Sequence, residues 1–244
     1  MVTRLTLLHT SPVHVPVFDA LRDREHPGTV LRHLVAPELL DRARADGPDS
    51  VAPALRALLA GAAGPVLVTC STIGAVADSL APELGVPVLR VDRPMAAQAV
   101  RTGARIAVLA TVESTLAPTV ALLTEEAARA GRPVSVTTHL VARAWSRFEA
   151  GDTAGYLALV ARAADGVTEA DALVLAQASM ADAAPLTRTS TPILASPAPG
   201  LAAAARAAAT DSPTCGCATT PRATCSPCTA SRARTESRTP PPGE

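Results

Sequence analysis

Hydrophobic positions along the chain fall into two patterns. Short β-branched or aliphatic runs of strand length occupy Thr3 to Leu8, Thr29 to Val35, Val66 to Thr69, Val86 to Val91, Ile106 to Ala110, Val134 to Thr138, Leu173 to Ala176 and Ile193 to Ala195. Between most of them lie Ala/Leu-rich stretches with apolar residues at helical spacing, such as "SVAPALRALLAGA", "TVALLTEEAARAG" and "GYLALVARAADG". Strands that alternate with helices need crossover connections, so the order predicts parallel sheets in an α/β protein. In such sheets ligands bind beyond the carboxyl ends of the strands. The run Val66 to Thr69 ends there on a lone cysteine, Cys70, followed by Ser71, Thr72 and, after Ile73, Gly74.

The pattern also repeats. "VLVTCST" from Val66 aligns with "LVLAQAS" from Leu173, which sets Cys70 opposite Gln177. "LTLLHTSP" from Leu5 aligns with "IAVLATVE" from Ile106, with Thr10 opposite Thr111, and "VPVLRVDRPMAAQAV" from Val86 aligns with "TPILASPAPGLAAAA" from Thr191. The period is much longer than a solenoid unit and predicts two similar α/β halves, with Cys70 and Gln177 facing each other across a cleft.

Composition narrows the chemistry. Of the 244 residues 48% are hydrophobic but only 2% aromatic, so the core is expected to be Ala, Val and Leu, and any pocket to be lined by small aliphatic groups. So few rings argue against base stacking, and a formal net charge of zero without a basic stripe argues against a nucleic-acid partner. Every cation among the 22 Lys and Arg residues is arginine. Chemistry that needs a lysine amine is thereby excluded, including a pyridoxal-phosphate Schiff base and a P-loop. No apolar run is long enough for a membrane span, so no membrane partner and a cytoplasmic location are expected, with Cys70 reduced.

The segments "LVTCSTIGAVAD", "VPVLRVDRPMAAQAV", "RIAVLATVESTLAPT" and "ALVLAQASMADA" together resemble the aspartate/glutamate racemase superfamily, which includes hydantoin racemases, maleate isomerases and arylmalonate decarboxylase. The resemblance covers roughly residues 3 to 205. It implies two pseudo-symmetric parallel-sheet α/β domains facing each other across a cleft, the last strand and helix returning to the first domain. On that basis residues 1–98 plus 190–210 form the first domain and 99–189 the second. It also implies an isomerase or racemase of amino-acid metabolism, with a small-molecule carboxylate as substrate, no metal or organic cofactor, and room for a homo-oligomer.

Members with two catalytic cysteines carry one in each half, in Cys-Asn-Thr and Gly-Cys-Thr type motifs. Here the first is Cys70-Ser71-Thr72, while the second position reads Ala176-Gln177-Ala178. A glutamine amide is neither acid nor base near neutral pH, so conventional two-thiol racemisation is put in doubt. One thiol still permits protonation after decarboxylation, thiol addition to an unsaturated diacid in cis-trans isomerisation, or racemisation with a second base from His9, His14 or His139. A catalytically silent carboxylate-binding protein is the reading from another class.

Cys70 falls where a strand gives way to the helix "TIGAVADSLAPEL", whose amide donors would favour a thiolate and bind a carboxylate. Ser71 and Thr72 are placed to cap that helix or hold substrate. Thr10, Ser11 and His14 after the first strand, and Thr111 and Ser179 in the second half, complete the expected substrate contacts. His139, ending a strand-like run, is set beside Cys70 as a catalytic candidate. His26 and His33 have no evident role, and Asp92 before Pro94 reads as a helix start.

From Asp211 the sequence has no Leu, Ile, Val or ring and is expected to be a disordered low-complexity tail over 211–244. It holds Cys215, Cys217, Cys225 and Cys228. Such spacing can bind zinc, but the loop is short and no histidine accompanies it, so no metal is assigned. The tail reads as an unselected or frame-altered extension.

Overall fold

The computed structural model describes residues 3–210. The tail and its four cysteines lie outside them. The first half runs β1 (Thr3–His9), α1 (His14–Glu25), β2 (Thr29–Val35), α2 (Pro37–Asp46), α3 (Ala52–Leu59), β3 (Val66–Val68), α4 (Ser71–Ser79), α5 (Ala81–Leu84) and β4 (Val88–Arg90). After α6 (Arg93–Thr102) come β5 (Arg105–Ala110), α7 (Leu116–Ala130), β6 (Ser135–Leu140), α8 (Ala144–Glu149), α9 (Thr153–Asp165), β7 (Ala172–Leu175), a 3₁₀ stretch Ala178–Leu186, β8 (Ile193–Ala195) and α10 (Pro197–Thr210).

Two four-stranded parallel sheets result, ordered β2-β1-β3-β4 and β6-β5-β7-β8. The topology is the same twice. Registers match as well, since Leu8 pairs with Val68 in the first sheet and Leu109 with Leu175 in the second. Continued by two residues, each register sets Thr10 beside Cys70 and Thr111 beside Gln177.

Alternation along each strand feeds two apolar layers, one on each sheet face. Leu8, Val66 and Val68 pack under α2, α3 and α4, whereas Leu5, Leu7 and Leu67 pack with Phe18 and Leu21 of α1 and with Leu201 and Ala204 of α10. In the second sheet Ala107, Leu109, Leu173 and Leu175 pack under α8 and α9. Its other face, Ile106, Val108 and Val174, is covered by Leu122 and Leu123 of α7 and by Met95, Ala96 and Ala99 of α6. The helix after β4 therefore covers the second sheet, and the helix after β8 returns to the first.

This corrects one boundary. The strand within 190–210 stays in the second sheet, because Ile193 pairs with Leu173 and Ala195 with Leu175; only α10 crosses back. The helix expected through "TIGAVADSLAPEL" also divides at Leu80, because Pro82 has no N–H to continue it. Asp92 does stand at the start of α6, but its carboxylate takes two bonds from Arg90, at 3.0 and 2.9 Å, rather than capping the helix. Arg93 ties the halves by reaching Asp78 on α4 and Glu125 and Glu126 on α7. No helix among the described residues is long and apolar enough to cross a membrane.

The crossing of α10 depends on Gly200. A Cβ there would lie 2.6 Å from the Val91 carbonyl oxygen, which is backbone and cannot swing aside. Helix propensity alone favours alanine by up to about 1 kcal/mol, whereas overpacking costs about 1–3 kcal/mol. Gly200→Ala is expected to lower the urea unfolding midpoint, and a raised midpoint would contradict the seating of α10.

Candidate active site

At the carboxyl ends of the strands, the turns after β1, β3 and β7 surround a small cavity of about 60 Å³. Thr10, Ser11, His14, Thr69, Cys70, Ser71, Thr72, Gln177 and Ser179 line it. The structure thus brings together most of the residues picked from sequence and places Cys70 and Gln177 on one cavity. Among the described residues, no three His, Cys, Asp or Glu side chains gather as a metal site.

Cys70 is half-buried and stands in extended conformation (φ −113°, ψ 117°) as the N-cap residue of α4. The capping expected of Ser71 and Thr72 is not made: the strand leaves the pleat at Cys70, and both residues are already inside the first turn. The Ser71 hydroxyl instead donates to the Ala176 carbonyl at 3.3 Å, joining the two halves at the cavity wall. The first amides of α4 have no intrahelical acceptor and provide anion donors beside the thiol.

Gln177 is fixed by what surrounds its side chain. Its Oε1 accepts from the Thr111 N–H at 2.6 Å and from the Thr111 hydroxyl at 2.8 Å. A backbone N–H can only donate, so the amide orientation is settled and its NH₂ group remains for a ligand. Thr111, expected to touch substrate, sits behind Gln177 and orients it. Ser179 lines the cavity, but its hydroxyl is bonded at 2.8 Å to that of Tyr156. Burial pushes the Tyr156 phenol up, against the hydrogen bonds to Ser179 and Thr111. By contrast, the hydroxyls of Thr10, Ser11 and Thr72 make no hydrogen bond within the described residues, and all three line the cavity.

The three candidate second bases separate clearly. His139 is exposed on β6, the edge strand of the second sheet, and does not line the cavity, so its candidacy is corrected. An edge strand leaves one side open, and here most of its side chains face solvent. His14, at the start of α1, lines the cavity, and burial lowers its pKa to about 4. His9 is fully buried behind Thr69, with its pKa lowered to about 3 by burial and then by the nearby His33 and His14.

Composition misled in one respect. Trp145 and Phe148 line the cavity, stacked with centroids 4.9 Å apart, so it is not walled by small aliphatic groups alone. They stand three apart on α8, one face of a helix, and that spacing was the available signal. Arg143, just before α8, is the one non-glycine with positive φ (63°) among the described residues, a left-handed turn that launches the helix. Opposite, Arg44 of α2 lines the same cavity, its guanidinium 5.4 Å from the Trp145 ring and in no ion pair among the described residues. This cation–π contact spans the halves at the solvent edge.

Comparison with known proteins places the chain. Residues 15–220 match the family model described as Asp/Glu/Hydantoin racemase, and the chain belongs to that family. None of the curated proteins matches the sequence. Among solved structures, glutamate racemase from Aquifex pyrophilus is 16% identical over 82% of this chain and 82% of its own, with a TM-score of 0.54. Allantoin racemase from Pseudomonas fluorescens is 18% identical over 82% and 88%, with a TM-score of 0.55. Arylmalonate decarboxylase is 19% identical over 84% and 92%, with a TM-score of 0.52. At these identities the likeness is one of fold.

A pH dependence follows from the two buried histidines. In the unfolded chain they take protons near 6.5, but in the folded protein only near 4 for His14 and 3 for His9. Below about pH 6.5 the unfolded state therefore binds more protons, and stability present above that pH is lost as pH falls toward these lower values. For fully buried His9 alone the slope approaches about 1.4 kcal/mol per pH unit. Urea midpoints should fall between pH 7 and 5, and less so in His9→Asn.

Proposed function

We propose that the chain is a cofactor-independent, racemase- or isomerase-like enzyme acting at the α-carbon of a small carboxylate through the single cavity thiol, Cys70. What carries the reading is the pairing of Cys70, at the amide-rich start of α4, with the fixed amide of Gln177 on the opposite wall. In this reading the α4 amides and the free hydroxyls of Thr10, Ser11 and Thr72 hold the carboxylate. The Gln177 NH₂ donates to the enediolate that develops as the α-carbon loses a substituent. Cys70 moves the proton at that carbon. His14, the one histidine lining the cavity, is neutral at pH 7 and takes the second-base role if inversion occurs. Arg44 would leave Trp145 to meet an acidic group at the solvent edge. A reducing compartment such as the cytoplasm suits a working thiol.

A one-thiol decarboxylase is a second reading, favoured by the way Thr111 holds Gln177 as a donor that is neither acid nor base near neutral pH. Loss of CO₂ would leave an enediolate, and the Cys70 S–H would protonate it to give the acid and a thiolate. A cis-trans isomerase of a dicarboxylate would use the same thiolate as a nucleophile. A silent carboxylate-binding protein would show ligand binding without any of these reactions.

The deciding experiment is NMR in deuterated water over amino acids, hydantoins, substituted malonates and maleate. Exchange, decarboxylation or isomerisation should fall at least about 100-fold in Cys70→Ser, the scale of acid–base catalysis by one group. Binding without turnover would leave the silent protein. Arg44→Met should raise KM about tenfold with little change in kcat, as expected for a lost charge-assisted bond. Trp145 is the only tryptophan, so its fluorescence reports binding directly.

A further inference from the structure

Four strands stand at sheet edges among the described residues: β2 and β4 in the first sheet, β6 and β8 in the second. A free edge offers unpaired N–H and C=O groups to any other strand, and proteins blunt such edges with shortness, charge or proline. β4 and β8 are three residues each, and β2 carries the exposed Arg32 at its middle. β6 has none of these guards. It is six residues long, runs Ser135-Val136-Thr137-Thr138-His139-Leu140 without a carboxylate, arginine or proline, and is exposed at every residue but Val136.

Register settles which backbone groups of β6 are free. The Ser135 N–H donates to the Ala104 carbonyl at 2.7 Å and the Val141 N–H to the Ala110 carbonyl at 2.8 Å, with unbroken pairing to β5 between them. In a parallel ladder alternate residues bond the same neighbour, so Ser135, Thr137, His139 and Val141 face β5. Val136, Thr138 and Leu140 turn their N–H and C=O groups outward. Their side chains lie on the sheet face of Ile106 and Val108, where Val136 packs against the apolar layer under α7 while Leu140 is left 50% exposed.

We infer that β6 pairs antiparallel with β6 of a second copy of this chain, about a two-fold axis at Thr138, so that two four-stranded sheets join as one. In that register the strand complements itself. Thr138 meets Thr138, Val136 meets Leu140 and Leu140 meets Val136, each pair exchanging two backbone hydrogen bonds, which uses every free group on the edge. Side chains match as well. The exposed Leu140 lies beside a Val136 already in the apolar layer, and Thr137 lies beside His139, with no charge directly opposite another. A strand of another protein would find the same backbone groups but no charge on β6 to select it. The two-fold pairing is closed and consumes both long edges, leaving the three-residue β8 at each far side, so assembly stops at the dimer. Beyond the strand, Val134 and Pro133 of the second copy come opposite Ala142 and Arg143, the turn that launches α8 with Trp145 and Phe148, so pairing braces that wall of the cavity. There Arg143 also comes near Arg132 of the second copy, a repulsion at the rim that salt screens.

The test is sedimentation velocity of the full chain over a dilution series, with reductant present so that the cysteines of the tail form no cross-link. Wild type should sediment as a dimer when concentrated, and the dimer should tighten as salt is added. Thr138→Arg and Thr138→Glu each set like charges on the axis and should weaken association at least about tenfold. An equimolar mixture of the two should restore the dimer, because position 138 meets position 138, and this separates a lost interface from a failed fold. Residue-resolved hydrogen exchange needs no variant. The amides of Val136, Thr138 and Leu140 should exchange fast in dilute wild type and slowly in concentrated wild type, whereas those of Thr137 and His139 stay slow in both. A wild type that is monomeric at every concentration overturns the inference. So does a dimer that Thr138→Arg leaves intact, a mixture that stays monomeric, or association that leaves the three outward amides unprotected.

Discussion

The constraint on which the rest depends is that each sheet has one face on which its own run of strands supplies a single helix, α1 on the first and α7 on the second, and a second helix is needed to complete the cover. A parallel sheet buried on one side only would leave rows of Leu and Val in water. Here the missing helices are exchanged: α6 follows β4 but packs on Met95, Ala96 and Ala99 against the second sheet, while α10 follows β8 and packs on Leu201 and Ala204 against the first. The exchange fixes the halves to each other, and the cavity exists because it does. Cys70 and Gln177 belong to different sheets and meet only while both helices are in place.

Around the cavity, hydrogen bonding divides the hydroxyls by task. Those of Ser71, Thr69, Thr111 and Ser179 are bonded to protein partners, and three of these bonds set the position of something else: the Ala176 strand end, the His9 ring and the Gln177 amide. Those of Thr10, Ser11 and Thr72 are left free. These three open on the cavity rather than being sealed in the protein, so they are free to bond a polar ligand there.

Much of the fold was legible because its signals are local or periodic. All eight strands carry short aliphatic runs, and the alignment of Val66 to Thr72 with Leu173 to Ser179 returns as matching registers in the two sheets. The placement of Cys70 and Gln177 followed from that alignment. What stayed hidden depends on pairing in space. His33 drew no notice on an edge strand, since nothing nearby in sequence shows that His9 will reach it. His139 looked equivalent to residues at other strand ends, but sequence does not reveal that β6 is an edge. Arg44 and the ring face of Trp145 and Phe148 were lost in a chain-wide average, because two of the four large aromatic residues fall on one short helix.

The exchange of helices also orders events in time. While the chain is being made, the sheet β1 to β4 is complete long before its Leu5, Leu7 and Leu67 face is fully covered: α1 shields part of it from the start, and the rest must wait until the second sheet has been built and β8 has passed into α10. The second sheet meets no such delay, because α6 precedes it and is ready when β5 forms. The older half of the nascent protein is thus the later one to close, and during that interval its apolar face is the natural place for a chaperone to hold the chain.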